Sequence, residues 1–268
     1  MTNWRAYLID LDGTMYHGSR MISGADQLIN AMKYHHIPYL FVTNNSSRTP
    51  DDVAEHLRQM GIPAEAKDVC TSAVAAAEYI ANMQPGAPVA PIGEHGLIEA
   101  LKQAGLSIDT ERPEFVVQGI DRSFSYEKLA QAANWIRNGA RYVLTNPDLL
   151  LPGQDGLMPG AGTISASIAA ASGVNPVIIG KPSKILMKHA IDRLGVRPDE
   201  TAVIGDNMHT DISAGAHAGC GTILALTGVT NRDNLAELME KTGVRPHIIC
   251  DDLTEVRSLV VGSIESAT

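Results

Sequence analysis

Six short apolar runs constrain this chain most: residues 6–9, 38–42, 177–179, 202–204, 222–226 and 247–249. Runs 6–9 and 38–42 read as strands; 177–179, 202–204, 222–226 and 247–249 do not alternate polar with apolar residues, so they read as strands buried on both faces, as in a parallel sheet. Helical patterns separate them, at 25–34, 50–60, 184–194 and 231–241. Pro50 suits a first helical turn and Gly61 a stop. This alternation predicts an α/β fold around a doubly wound parallel sheet.

The middle of the chain carries a second α/β pattern. An alanine-rich helix is expected over 71–83, then a linker at 82–86 that contains Pro85 and Gly86. From there to Asn175-Pro176 run further strand and helix patterns. The expected organisation is a core of residues 1–82 and 178–268 with an inserted α/β domain at 83–177.

Hydrophobic residues make up 44% and charged residues 19%, which allows a sizeable core and excludes a disordered chain. The formal net charge of −9 argues against nonspecific binding to nucleic acid or anionic membrane, which needs basic surface. A small anionic ligand remains compatible where cations are concentrated locally. The three cysteines, Cys70, Cys220 and Cys250, are far apart and form no CxxC or Cys/His cluster, so they read as buried thiols in a reducing compartment. The first residues lack a signal-peptide apolar region, and no apolar stretch reaches membrane-spanning length. A cytoplasmic location is expected.

In an open α/β sheet, ligands bind beyond the carboxyl ends of the strands. After the first run come Asp10-Leu11-Asp12-Gly13-Thr14. Taken alone, these residues fit an ordinary turn, a site for a hard divalent cation, or a nucleophile beside a proton donor. After the second run come Thr43-Asn44-Asn45-Ser46-Ser47, which also suits a helix-capping loop. Gly180-Lys181-Pro182 follows 177–179, and Gly205-Asp206-Asn207 follows 202–204, with Asp211 further on. Four strands thus bring carboxylates, a hydroxyl, an amide and a lysine to one sheet edge. That set suits a phosphate ester bound beside Mg²⁺, with Lys181 offsetting the repulsion between phosphate and carboxylate. A glycine-rich stretch at 160–165 is no dinucleotide fingerprint: Ser165 occupies its last position and no clean strand precedes it. The histidines show no metal-ligand spacing.

At DLDGT (10–14), TNN (43–45), GKP (180–182) and GDNMHTD (205–211), the chain resembles the haloacid dehalogenase (HAD) superfamily of phosphohydrolases. VTNNSSR (42–48), TNPD (145–148) and PGAGTI (159–164) resemble its NagD-like branch. The resemblance implies a Rossmannoid core with a class II α/β cap between the second and third motifs. It implies Asp10 as nucleophile, forming an aspartyl-phosphate, and Asp12 as the acid and base. It implies Mg²⁺ held by the Asp10 carboxylate, the Asp12 backbone carbonyl and Asp206, with Asp211 supporting directly or through water. Thr43, Asn44 and Lys181 would bind the phosphoryl group, and Asn207 and Thr210 would line the phosphate or substrate side. His209 reads as a surface or substrate-lining residue.

The expected substrates are small phosphorylated metabolites, of the sugar phosphate or nucleoside monophosphate type, with p-nitrophenyl phosphate as an artificial one. Residues 145–148 are the candidate specificity segment, and caps of this type often contribute to a homodimer or higher homo-oligomer. Two alternatives stay open: a phosphotransferase or phosphomutase of the same fold, and a non-enzymatic phospho-acceptor domain of receiver type. The second acid, Asp12, favours a phosphatase.

Overall fold

The computed structural model describes residues 4–153 and 156–265. These form two compact units: one takes residues up to Thr43, Asp51–Cys70 and from Lys181 onward; the other takes Asn44–Pro50 and Thr71–Gly180.

The first unit is built on a six-stranded sheet in the order Ile248–Cys250, Gly221–Ala225, Thr201–Gly205, Ala6–Ile9, Tyr39–Thr43, Val69–Thr71. The pairings from Ile248–Cys250 across to Tyr39–Thr43 are parallel. Strand Ala6–Ile9 is wholly buried, as its unbroken apolar sequence requires. The chain first builds outward from it through Tyr39–Thr43, and later returns to its other flank with Thr201–Gly205. The order therefore reverses between Ala6–Ile9 and Thr201–Gly205, and that crevice is where an open α/β sheet binds ligands. Ile9 stands opposite Ile204, so the residues that follow both strands emerge side by side.

Helices cover the sheet through the stripes their sequences encode. Ala25–Tyr34 buries Ala25, Leu28, Ile29 and Met32, a helical i, i+3, i+4, i+7 spacing. Each large side chain buried in this way contributes about 1.5–3 kcal/mol. Lys184–Leu194 starts at a Ser183 cap, whose hydroxyl accepts the Ile185 N–H, and stops at Gly195 in the left-handed region.

The second unit holds five parallel strands in the order Val177–Ile178, Arg141–Leu144, Phe115–Gln118, Pro88–Ile92, Ser107–Ile108. Its core includes Val116, Ile136, Leu144, Ile164 and Ile168. Here the structure corrects two expectations. Ile249 is exposed, because Ile248–Cys250 is the edge strand of the first sheet and is not buried on both faces. The run 177–179 is not a strand of the core sheet: Val177 and Ile178 pair with Val143 and Leu144 at the edge of this second sheet, and Val177 is exposed. A two-residue edge strand has too few side chains to show which sheet it joins. The expected boundary at residue 83 also differs from the compact units, because helix Ser72–Met83 falls in the second. Its first residue, Ser72, donates from Oγ to the Asn44 carbonyl across 2.7 Å, within that unit.

All three cysteines are buried thiols. Among the described residues, no helix is long and apolar enough to cross a membrane.

Candidate active site

The crevice at the strand-order reversal holds three buried carboxylates. Oxygens of Asp10, Asp206 and Asp211 all lie within 4.8 Å of one another. Asp10 follows Ala6–Ile9 and anchors its backbone N–H on the Ile204 carbonyl at 2.9 Å. Asp206 follows Thr201–Gly205. Asp211 arrives from the π-helical turn Met208–Ile212, in which Ile212 N–H reaches the Asn207 carbonyl at 3.2 Å. The wider π turn inserts an extra residue, a geometry found often at functional sites. It leaves Asp211 Oδ2 accepting the Asn207 N–H at 3.1 Å, while Asn207 Oδ1 accepts the His209 N–H at 2.9 Å.

Lys181 is buried among these acids. Its ammonium pairs with Asp10, lies 2.7 Å from Asp211 Oδ1 and donates to the Val42 carbonyl at 3.1 Å. Thr14 Oγ1 stands 3.0 Å from Asp206 Oδ1 and 3.3 Å from Asp10 Oδ2. The second Asp206 oxygen accepts the Val229 N–H at 2.7 Å. Glycines make room for this packing. A Cβ on Gly228 would fall 2.1 Å from Asp206 Oδ2, and one on Gly205 would fall 2.3 Å from Asp211 Cβ. Gly13 adopts φ 89°, and a Cβ there would meet the Asp206 carboxylate at 2.5 Å.

The electrostatics follow from burial. Burial pushes the Asp10 carboxyl well above the usual range, Asp211 and Asp206 push it the same way, and Lys181 opposes them. Asp206 is pushed up to about 6, first by burial and then by Asp211, against the pull of the Val229 N–H and Thr14. Burial alone disfavours the Lys181 charge, but Asp10 and Asp211 more than offset it and hold the ammonium above its ordinary pKa. Three carboxyl groups share one ammonium, so full ionisation of these acids calls for further positive charge. An all-oxygen, carboxylate-rich set of this kind fits a hard divalent cation such as Mg²⁺.

The remaining expected residues fall in different places. The Asp12 side chain is exposed, outside the buried cluster. Thr43 is buried at the end of its strand. Asn207 and Thr210 are half-buried and His209 is exposed. Asn44 lies in the second unit, where its Nδ2 donates to Asp148 Oδ2 at 3.1 Å. Sequence reading missed two contributors. Thr14 was visible inside DLDGT as a hydroxyl two residues past Asp12. Val229 acts through its backbone, which no side chain announces, although its loop follows strand Gly221–Ala225 at the same sheet edge.

A family model described as haloacid dehalogenase-like hydrolase matches residues 7–107, and one described as HAD-hydrolase-like matches 178–256. The chain is 46% identical to the 5'-nucleotidase YutF of Bacillus subtilis (strain 168) over 255 residues, 95% of this chain and 98% of that protein. It is 46% identical to an acid sugar phosphatase of Staphylococcus epidermidis over 236 residues, 88% of this chain and 91% of that one. The solved structure of NagD from E. coli K-12 superposes with a TM-score of 0.88 at 32% identity, covering 95% of this chain and 98% of NagD.

Proposed function

Because the chain belongs to the haloacid dehalogenase-like hydrolases, as a NagD-like phosphatase, we propose that it hydrolyses small phosphomonoesters through an aspartyl-phosphate on Asp10. The observation that carries this reading is Asp10 itself: a buried carboxylate beside Asp206 and Asp211, paired with the Lys181 ammonium. Asp10 attacks phosphorus, the bond to the leaving oxygen breaks, and Asp12 supplies the proton that oxygen needs. Asp12 then takes a proton from water, which attacks the same phosphorus and returns Asp10 as a carboxylate. Its exposed position suits repeated proton exchange; the buried acids lack that access. Lys181 and Thr43 orient the phosphoryl oxygens, with Asn207 and Thr210 beside them.

Asp10, the Asp12 carbonyl and Asp206 would hold Mg²⁺, with Asp211 in support. Bound there, the cation cancels the repulsion between phosphate and carboxylates that would otherwise oppose attack. The second unit is the cap in this reading, and it sets the substrate. Sugar phosphates and nucleoside monophosphates are the proposed class, in keeping with the names of the two relatives. Buried thiols support a cytoplasmic location.

The test is a phosphate-release screen over phosphorylated sugars, nucleoside monophosphates and p-nitrophenyl phosphate, with and without Mg²⁺, with Asp10→Asn as the blank. Multiple turnovers that need both Mg²⁺ and Asp10 are expected. Phosphorylation of the protein without turnover would replace the phosphatase with a phospho-acceptor.

A further inference from the structure

Three sequence motifs, at 43–45, 145–148 and 180–182, meet in one cluster within the second unit. Asn44 donates from Nδ2 to Asp148 Oδ2 at 3.1 Å. The Asn44 carbonyl accepts Asn146 Nδ2 at 2.8 Å and Ser72 Oγ at 2.7 Å, which occupies both its lone pairs. Asn146 Oδ1 in turn accepts the Asp148 N–H at 3.3 Å. Gly180 closes the cluster: its N–H donates to the Thr145 carbonyl at 2.8 Å. A Cβ on Gly180 would fall 2.4 Å from that carbonyl oxygen and 2.6 Å from Asn44 Oδ1.

The 145–148 loop is itself held from behind. Gly162 N–H donates to the Asp148 carbonyl at 2.9 Å. Cβ atoms on Gly160 and Gly162 would fall 2.1 Å from the carbonyl oxygens of Asp148 and Pro147. These two glycines are required by close approach and not by an unusual φ.

The cluster's position in the chain gives it a consequence. Asn44 directly follows Thr43, and Gly180 directly precedes Lys181. We propose that Asp148 is a positioning residue for the phosphoryl site: by accepting the Asn44 amide it fixes the chain segment that runs into Thr43, beside the Gly180 segment that the Thr145 carbonyl holds before Lys181. This rests on the phosphatase reading above. It moves residue 148 from choosing the leaving group to orienting the groups that grip the phosphate. Asn44 and Asp148 are only half-buried, so their bond adds little to the core; its effect falls on where Asn44, and with it Thr43, is held.

The experiment compares wild type, Asp148→Ala and Asp148→Asn. It measures kcat and KM on p-nitrophenyl phosphate, the calorimetric Kd for inorganic phosphate in Mg²⁺, and the thermal midpoint. Asp148→Ala is expected to weaken phosphate binding and lower kcat by about tenfold each, the size of one lost hydrogen bond to a charged group, with the midpoint unchanged. Asp148→Asn still accepts from Asn44 and should stay within about twofold of wild type. Partial unfolding of Asp148→Ala would lower kcat but leave the Kd for phosphate unchanged, so the Kd separates positioning from folding. An unchanged Kd in Asp148→Ala overturns the proposal. So does an Asp148→Asn as damaged as the alanine variant, since the charge itself would then be in use. No turnover by wild type would instead count against the phosphatase reading.

Discussion

Thr14 Oγ1 lies 3.0 Å from Asp206 Oδ1, a hydroxyl from the loop after the first strand meeting a carboxylate from the loop across the strand-order reversal. The same hydroxyl is 3.3 Å from Asp10 Oδ2, so one side chain spaces two of the three acids.

Removing that hydroxyl should loosen the carboxylates without emptying the core. Thr14→Val keeps the volume and loses the hydrogen bonds, while Thr14→Ser keeps them. The valine variant is expected to bind Mg²⁺ about tenfold more weakly by calorimetry, consistent with hydrogen bonds to charged groups of about 1.5–3 kcal/mol. The serine variant should bind as wild type does. Equal Mg²⁺ affinity in all three proteins would contradict this role.

Lys181 balances Asp10 and Asp211 in a buried setting, so its loss strands two carboxylates. Removing one partner of a buried pair typically costs about 3–5 kcal/mol. Lys181→Met should lose stability of that order in urea denaturation with chelator present. The loss should shrink in Mg²⁺, which supplies positive charge to the same acids, and in the double variant with Asp211→Asn. A single variant as stable as wild type in chelator would show that the pair carries no such burden.

Asp206 gives a pH dependence with a defined sign. Its folded pKa, raised to about 6, lies above that of an unfolded aspartate, so between those values the folded state binds more protons. Stability of the metal-free protein is therefore present below the ordinary carboxylate range and falls as pH rises toward and through 6. Asp206→Asn lacks this titration and should be more stable than wild type in chelator at neutral pH, by roughly 1–3 kcal/mol. The difference should close as pH falls below the carboxylate range. Added Mg²⁺ should stabilise wild type and not the variant. A wild type more stable than Asp206→Asn at every pH without metal would reverse the sign and refute this account.

Much of this site was legible because Asp10 and Asp206 follow apolar runs uniform enough to read as buried strands. Ala6–Ile9 and Thr201–Gly205 announce themselves in that way, and Asp10 and Asp206 come with them. Lys181 was found for a different reason than the structure gives. It follows an edge strand of the second sheet, and only pairing with Val143 and Leu144, far away in sequence, shows this. Local pattern cannot encode such a partner. The separation of Asp12 from the buried triad, and the Val229 N–H on Asp206, were hidden for a related reason. Side-chain direction in a loop and backbone donors both depend on the folded path. The meeting of Asn44 with Asp148 joins positions more than a hundred residues apart.

The central claim is that Asp10 itself becomes phosphorylated. Acid quench during turnover of p-nitrophenyl phosphate in Mg²⁺, followed by borohydride reduction and peptide mass spectrometry, tests it directly. An acyl phosphate on Asp10 would be reduced to homoserine at that position, and Asp10→Asn would show neither the product nor turnover. Steady turnover with Asp10 never modified, or an Asp10→Asn variant that releases phosphate at the wild-type rate, would contradict it.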